Sequence, residues 1–231
     1  MPLLTLPITD YKRQIAMITQ ITSRHVLAAI EDICDTLEQE KIYLSELDGA
    51  IGDGDHGVNM AKCFREIRKK LPDIRDQDAA GILKNVGMVV LNSVGGAMGA
   101  LYGTLFLRLA QQAAGKTELE LSDLVAMFQA AEKGVRELGK AEVGDKTMLD
   151  TLAPAVRALE QAAQAGDSLA KALADFEAAA RCGMESTRDL VAKVGRASRL
   201  GERTRGHQDA GATSCYFILR AFARAVNAPS E

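Results

Sequence analysis

The stretch LSDLVAMFQAAEKGVREL, residues 121–138, carries apolar side chains at Leu121, Leu124, Val125, Phe128, Ala131, Val135 and Leu138. Steps of three and four keep those positions on one face of an α-helix. Glu132, Lys133, Arg136 and Glu137, with Glu118 and Glu120 just upstream, read as a solvated face. The same spacing recurs at Val26, Ile30, Ile33 and Leu37, at Met60, Cys63, Phe64, Ile67 and Leu71, and at Leu169, Leu173, Phe176 and Ala180. Alanine, the strongest helix former, is abundant between Ala153 and Ala180. No run alternates β-branched and polar residues, and no Asn-Gly turn joins two apolar runs.

Breaks near 47–57, 71–78, 95–99, 115–121, 139–145, 166–168 and 194–211 divide the chain into about eight helices. Short connections favour antiparallel neighbours. The predicted fold is therefore all-α, an eight-helix up-and-down antiparallel barrel or bundle, with residues 1–231 forming one domain. Small alanine side chains allow the helix axes to approach closely.

Composition removes several function classes. The chain of 231 residues is 47% hydrophobic and 26% charged, ordinary for a globular protein and too apolar for a disordered one. A net charge of −3 argues against nucleic acid as a partner, since phosphate-tracking proteins are basic. Cys34, Cys63, Cys182 and Cys215 lie far apart, giving neither a zinc spacing nor a disulfide framework. Residues 1–10 lack the basic and apolar regions of a signal peptide. The longest apolar stretch, 82–109, is interrupted by Lys84, Asn85, Asn92, Ser93, Arg108 and five glycines, so no membrane partner is expected and a cytoplasmic protein is the default.

The unusual residues lie in the breaks. Asp48, Asp53 and Asp55 fall within eight positions of a glycine-rich segment. Gly52, Gly54 and Gly57 fit the dinucleotide fingerprint literally, but no strand precedes them and two aspartates would repel a bare pyrophosphate. A calcium loop starting at Asp53 fails at its sixth and twelfth positions, Val58 and Phe64. Two carboxylates about 4 Å apart repel by about 1 kcal/mol in water and about 4 kcal/mol at an effective dielectric of 20. Convergence of three in a partly buried loop needs a cation, and Mg²⁺ suits carboxylates that share it with phosphate. A solvated Asp-Gly turn is the alternative reading. Amides from His56 to Asn59, at the start of the next helix, add a phosphate-binding element.

Three further segments invite ligands. Residues 93–103 are small and glycine-rich, which permits close backbone approach or simply a tight helix–helix turn. Residues 139–147 nearly form a Walker loop, but Asp145 is inserted before Lys146 and no strand precedes it. Arg196, Arg199, Arg203 and Arg205 crowd ten residues, which suits phosphate or an acidic partner surface, or an exposed basic loop.

Taken together, LDGAIGDGDHGVNM (47–60), NSVGGAMGALYGT (92–104), GKAEVGDKTMLDTLAPA (139–155) and GRASRLGERTRGHQDAGATS (195–214) resemble the L subunit of dihydroxyacetone kinases, their nucleotide-binding component. The resemblance runs from about Val26 to Ala225. It implies an eight-helix barrel with nucleotide at one end, and two Mg²⁺ ions with ATP or ADP as cofactors. It places the metal on Asp48, Asp53 and Asp55. It places nucleotide contacts on His56, Gly57, Val58 and Asn59, on the Gly95, Gly96, Ala97 and Met98 loop, on Gly139, Met148 and Arg196, and on the turn Asp209, Ala210, Gly211. Many relatives carry Ser or Thr where this chain has Met98, so a hydroxyl contact to phosphate is missing.

The activity so implied is transfer of the γ-phosphate of ATP to a ketose held covalently by a separate K subunit. Arg196, with Lys146, would offset developing charge, and the chain offers no evident general base. A phosphotransferase-system protein is a further implied partner where ADP stays bound and is rephosphorylated. The competing readings are the same module serving another ketose such as a tetrulose, and an ADP- or ATP-sensing regulatory partner.

Overall fold

The computed structural model describes residues 19–227; the N-terminal segment 1–10 discussed above lies outside them. Nine α-helices occur among the described residues: α1 (Ser23–Gln39), α2 (Lys41–Ile51), α3 (His56–Ile74), α4 (Ala79–Ser93), α5 (Gly96–Ala113), α6 (Leu121–Gly139), α7 (Leu149–Ala165), α8 (Leu169–Ser186) and α9 (Ala210–Asn227). Two 3-10 segments, Thr187–Asp189 and Ala197–Thr204, interrupt the long connection between α8 and α9. Strands β1 (Ile21–Thr22) and β2 (Glu118–Leu119) pair antiparallel, Ile21 opposite Leu119.

Eight of the helices close a ring. From α3 to α9 each helix packs against the next, and α1 packs against both α9 and α3. This is the all-α up-and-down barrel expected from the stripes and short connections. The ninth helix, α2, stands outside the ring and covers α3 and α9. The sequence does not mark its start, because no Gly or Pro separates it from α1. The chain bends at Glu40, whose φ of −90° and ψ of 4° leave the helical region.

The stripes meet inside. Phe128 touches Phe176 and Phe222 at ring-centroid distances of 4.9 and 5.6 Å, and Phe64 touches Phe106 at 6.2 Å. These rings join one continuous core with Ile30, Leu37 and Leu105. Helix α9 is buried nearly all round from Ala212 to Leu219, because the ring lies on one side and α2 on the other. The outer face of α6 is polar as predicted, with Arg136 paired to Glu132 at 2.5 Å. Cys34, Cys63 and Cys215 are buried free thiols, and Cys182 is an exposed one. No helix among the described residues is long and apolar enough to cross a membrane.

Candidate functional site

One end of the barrel opens into a cavity of about 670 Å³. Four of the segments singled out in the sequence meet there. The lining includes Asp48, Asp53, Asp55, His56 and Asn59, then Gly95 to Met98, then Gly139 and Met148, and finally Arg196 and Asp209 to Gly211. Gly57 and Val58 are not in the wall. Gly57 is buried against α2, and Val58 is 54% exposed, with its amide donating to Ser45 Oγ at 3.3 Å.

The acidic cluster is built by a helix end and a tight turn. Asp48 projects from the last turn of α2, and Asp53 and Asp55 flank Gly54, whose φ of +77° reverses the chain. That backbone region is disfavoured for side chains bearing a Cβ, so glycine is required there. One carboxylate oxygen from each aspartate lies within 4.8 Å of the others. Asp48 also accepts from the His56 amide at 3.2 Å, which fixes its carboxylate against the start of α3. Arg196 reaches over from the loop between α8 and α9 and pairs with Asp53. A guanidinium thus stands at the edge of the cluster, as expected where clustered anions attract a cation. The oxygen donor set fits a hard divalent ion such as Mg²⁺.

Behind the aspartates runs a partly buried hydrogen-bonded chain. His56 Nε2 shares a hydrogen bond of 2.8 Å with Ser214 Oγ, which lies 2.6 Å from the Tyr102 hydroxyl. Tyr102 in turn donates to the Gly211 carbonyl at 3.0 Å. Burial pushes the imidazole down to about 4, against a smaller opposing pull from Asp48. His56 is therefore neutral at physiological pH. Burial likewise pushes the Asp209 carboxyl up to about 6, opposed by the Ala212 amide and the Lys146 charge.

Lys146 corrects an expectation. It borders the cavity, but its ammonium does not face it. Nζ donates to the carbonyls of Thr187, Leu190, Thr204 and His207 instead. Helix α7 starts at Leu149, two residues after the Asp-Lys-Thr stretch. Asp150 ties the preceding loop, accepting from the Gly144 and Thr147 amides at 2.5 and 2.7 Å.

The apolar wall was not anticipated. Leu101, Val135, Leu138, Ala141 and Leu149 line one side. Their helical spacing reads as core, and only the glycine-rich break beside them marks a surface that a flat apolar ligand could use.

A family model for the DAK2 domain matches residues 50–224. The chain belongs to the DAK2 domain family. Among its DAK2 relatives is the "PEP-dependent dihydroxyacetone kinase, ADP-binding subunit DhaL" of Escherichia coli (strain K12), 46% identical over 83% of this chain and 91% of that protein. The "PTS-dependent dihydroxyacetone kinase, ADP-binding subunit DhaL" of Lactococcus lactis is 37% identical over 80% of this chain and 88% of that one. The solved dihydroxyacetone kinase of C. freundii in its native form superposes with a TM-score of 0.66 at 27% identity. That match covers 86% of this chain but 34% of the kinase, so the DAK2 chain spans about a third of it.

Proposed function

We propose that this chain is the nucleotide-binding subunit of a cytoplasmic dihydroxyacetone kinase, acting as one domain. The observation that carries the reading is the convergence of Asp48, Asp53 and Asp55 at the mouth of a cavity with an apolar wall. Asp48, Asp53 and Asp55 hold Mg²⁺. His56, Asn59, Gly95 to Met98, Gly139, Met148, Arg196 and Asp209 to Gly211 contact ADP or ATP, the base lying against Leu101, Val135 and Leu138. Bound Mg²⁺ neutralises phosphate charge and holds the phosphates in place. In such transfers the protein mainly positions groups and stabilises charge, so a site without a general base is chemically sufficient.

The acceptor, dihydroxyacetone, sits on a separate K subunit that docks at this end. The names of the E. coli and L. lactis relatives favour resident ADP, rephosphorylated by a phosphotransferase-system protein, over free ATP. Two measurements test this. Asp53→Ala is expected to abolish Mg²⁺-dependent ADP binding in titration calorimetry, and wild-type affinity in that variant would refute the metal assignment. ADP is expected to survive extensive dialysis of the purified protein, whereas rapid exchange would favour the free-ATP version.

A further inference from the structure

We propose that Lys146 is an internal cation that positions the Arg196 loop beside the cavity, and that it makes no contact with phosphate. The proposal deepens the nucleotide-site reading and rests on it for one of its two readouts.

The ammonium is enclosed. Lys146 is 2% exposed, and its Nζ lies 2.6 Å from Thr187 O, 3.2 Å from Leu190 O and 2.9 Å from Thr204 O, with His207 O as a fourth acceptor. An ammonium has three protons. Four carbonyls therefore leave none for an incoming phosphate. The shell is all carbonyl oxygen, as for a bound monovalent ion, but the ion is tethered by its own side chain.

The four acceptors come from both legs of one loop. Thr187 and Leu190 lie on the strand of chain leaving α8; Thr204 and His207 lie on the strand returning to α9. Besides the ammonium, four single bonds join the legs: Gly206 N donates to Arg188 O at 2.8 Å, Ala192 N to Thr204 Oγ1 at 2.9 Å, Arg205 Nη1 to Asp189 O at 2.6 Å and Asp209 N to Thr187 Oγ1 at 3.1 Å. Arg196 stands between the legs and pairs with Asp53, and the Asp209 turn follows the clamp immediately. Removing the cation would leave carbonyls facing one another and release both cavity elements together.

The backbone supports this role. Lys146 adopts a φ of +64°. The left-handed region is disfavoured for a residue with a Cβ, and Gly or Asn would fit it with less strain. A lysine there is explained by what its ammonium gathers. Burial pulls the Lys146 ammonium below the usual lysine range, and the charges of Asp209, Asp150 and Asp189 oppose that pull in part.

The test uses Lys146→Met, which keeps the chain length and removes the charge, in the full-length protein. Trypsin reports the loop, since Arg196, Arg199, Arg203 and Arg205 lie in it. Cleavage there is expected to rise by about tenfold or more while helical circular dichroism is retained, the signature of local opening. Mg²⁺·ADP affinity is expected to fall by about tenfold. In Lys146→Ala, millimolar propylammonium is expected to restore loop protection and affinity together. Arg196→Ala is the control: affinity falls and the loop stays protected.

A protected loop in Lys146→Met, whether or not ADP affinity falls, overturns the proposal; with lost affinity it makes Lys146 a phosphate ligand. An opened loop in a protein whose wild type binds no Mg²⁺·ADP upholds the clamp and rejects the nucleotide reading instead. Should Lys146→Met fail to fold, amine acetylation of the wild type decides. Lys146 is expected to resist labelling with and without Mg²⁺·ADP. Labelling that ADP suppresses would show a solvent-facing phosphate contact and overturn the clamp.

Discussion

Gly57→Ala should damage the site without touching any cavity-lining side chain. A Cβ at Gly57 would lie 1.9 Å from Lys41 O and 2.8 Å from both Ser45 N and Ser45 Oγ. Ordinary contact begins near 3.4 Å, so α2 and α3 must separate locally by about 1.5 Å. Two backbones meet there, and neither can rotate aside as a side chain could. Overpacking of this kind costs roughly 1–3 kcal/mol. For a chain of this size that is a fall in Tm of about 2–12 °C. The separation also pulls Asp48, on α2, away from Asp55, which precedes α3. A misplacement of about 1 Å can cost about 100-fold where groups must converge. Mg²⁺·ADP affinity should therefore fall far more than stability does. Gly49→Ala is the matched control on α2. Its Cβ would meet only Gly54 Cα, at 3.8 Å, and the position is exposed. Helix propensity then predicts about 0.5–1 kcal/mol of added stability. Differential scanning calorimetry and ADP titration of both variants check this. A Gly57→Ala protein with wild-type Tm and wild-type affinity would refute the close-approach argument.

Two pH predictions follow from buried groups. Asp209 rises from an ordinary 3.8 to about 6, so the folded protein holds the extra proton between those values, and its stability falls as pH rises through that window. Asp209→Asn should therefore gain up to about 3 kcal/mol on wild type above pH 6, with no gain below pH 4, in thermal melts across pH 3.5–8; equal curves at all pH would refute it. His56, lowered from 6.5 to about 4, makes stability rise with pH across that interval, because the unfolded chain holds the proton there. Its imidazole resonance should not titrate between pH 5.5 and 8 by NMR, and a midpoint near 6.5 would show that the ring is solvated and not buried in solution.

What the sequence made legible was whatever repeats or punctuates. The stripe from Leu121 to Leu138 became α6, and the glycine-rich breaks marked most boundaries. The α1–α2 junction was illegible because Glu40 carries no sign of a bend; what turns the chain is the need to lay α2 across α3 and α9. The aspartate cluster was visible because carboxylates and glycines rarely crowd together without cause. The Ser214–Tyr102 link was not, since both residues sit inside helices whose neighbours are apolar. Lys146 misled for a related reason. A lysine beside glycines reads as a phosphate ligand, and only the three-dimensional return of residues 187–207 shows where its charge goes.

Amide accounting narrows where phosphate lies in the proposed reading. The starts of α3, α5, α7 and α9 all border the cavity, so four positive helix ends face it beside four carboxyl side chains, Asp48, Asp53, Asp55 and Asp209. Three of the four already use early amides internally. His56 N donates to Asp48, Leu149 N to Thr147 Oγ1 and Ala212 N to Asp209. Helix α5 has no side-chain cap, and Cβ atoms at Gly95 and Gly96 would meet nothing within 4 Å. An uncapped helix start in open space, next to a cation site, is where an anion gains most. The phosphates therefore belong on the Gly96–Met98 amides, with Mg²⁺ on the aspartate side. Met98 then loses little by lacking a hydroxyl. Its amide points with the helix start whatever the side chain, and its thioether is free to pack on the core beside Leu101.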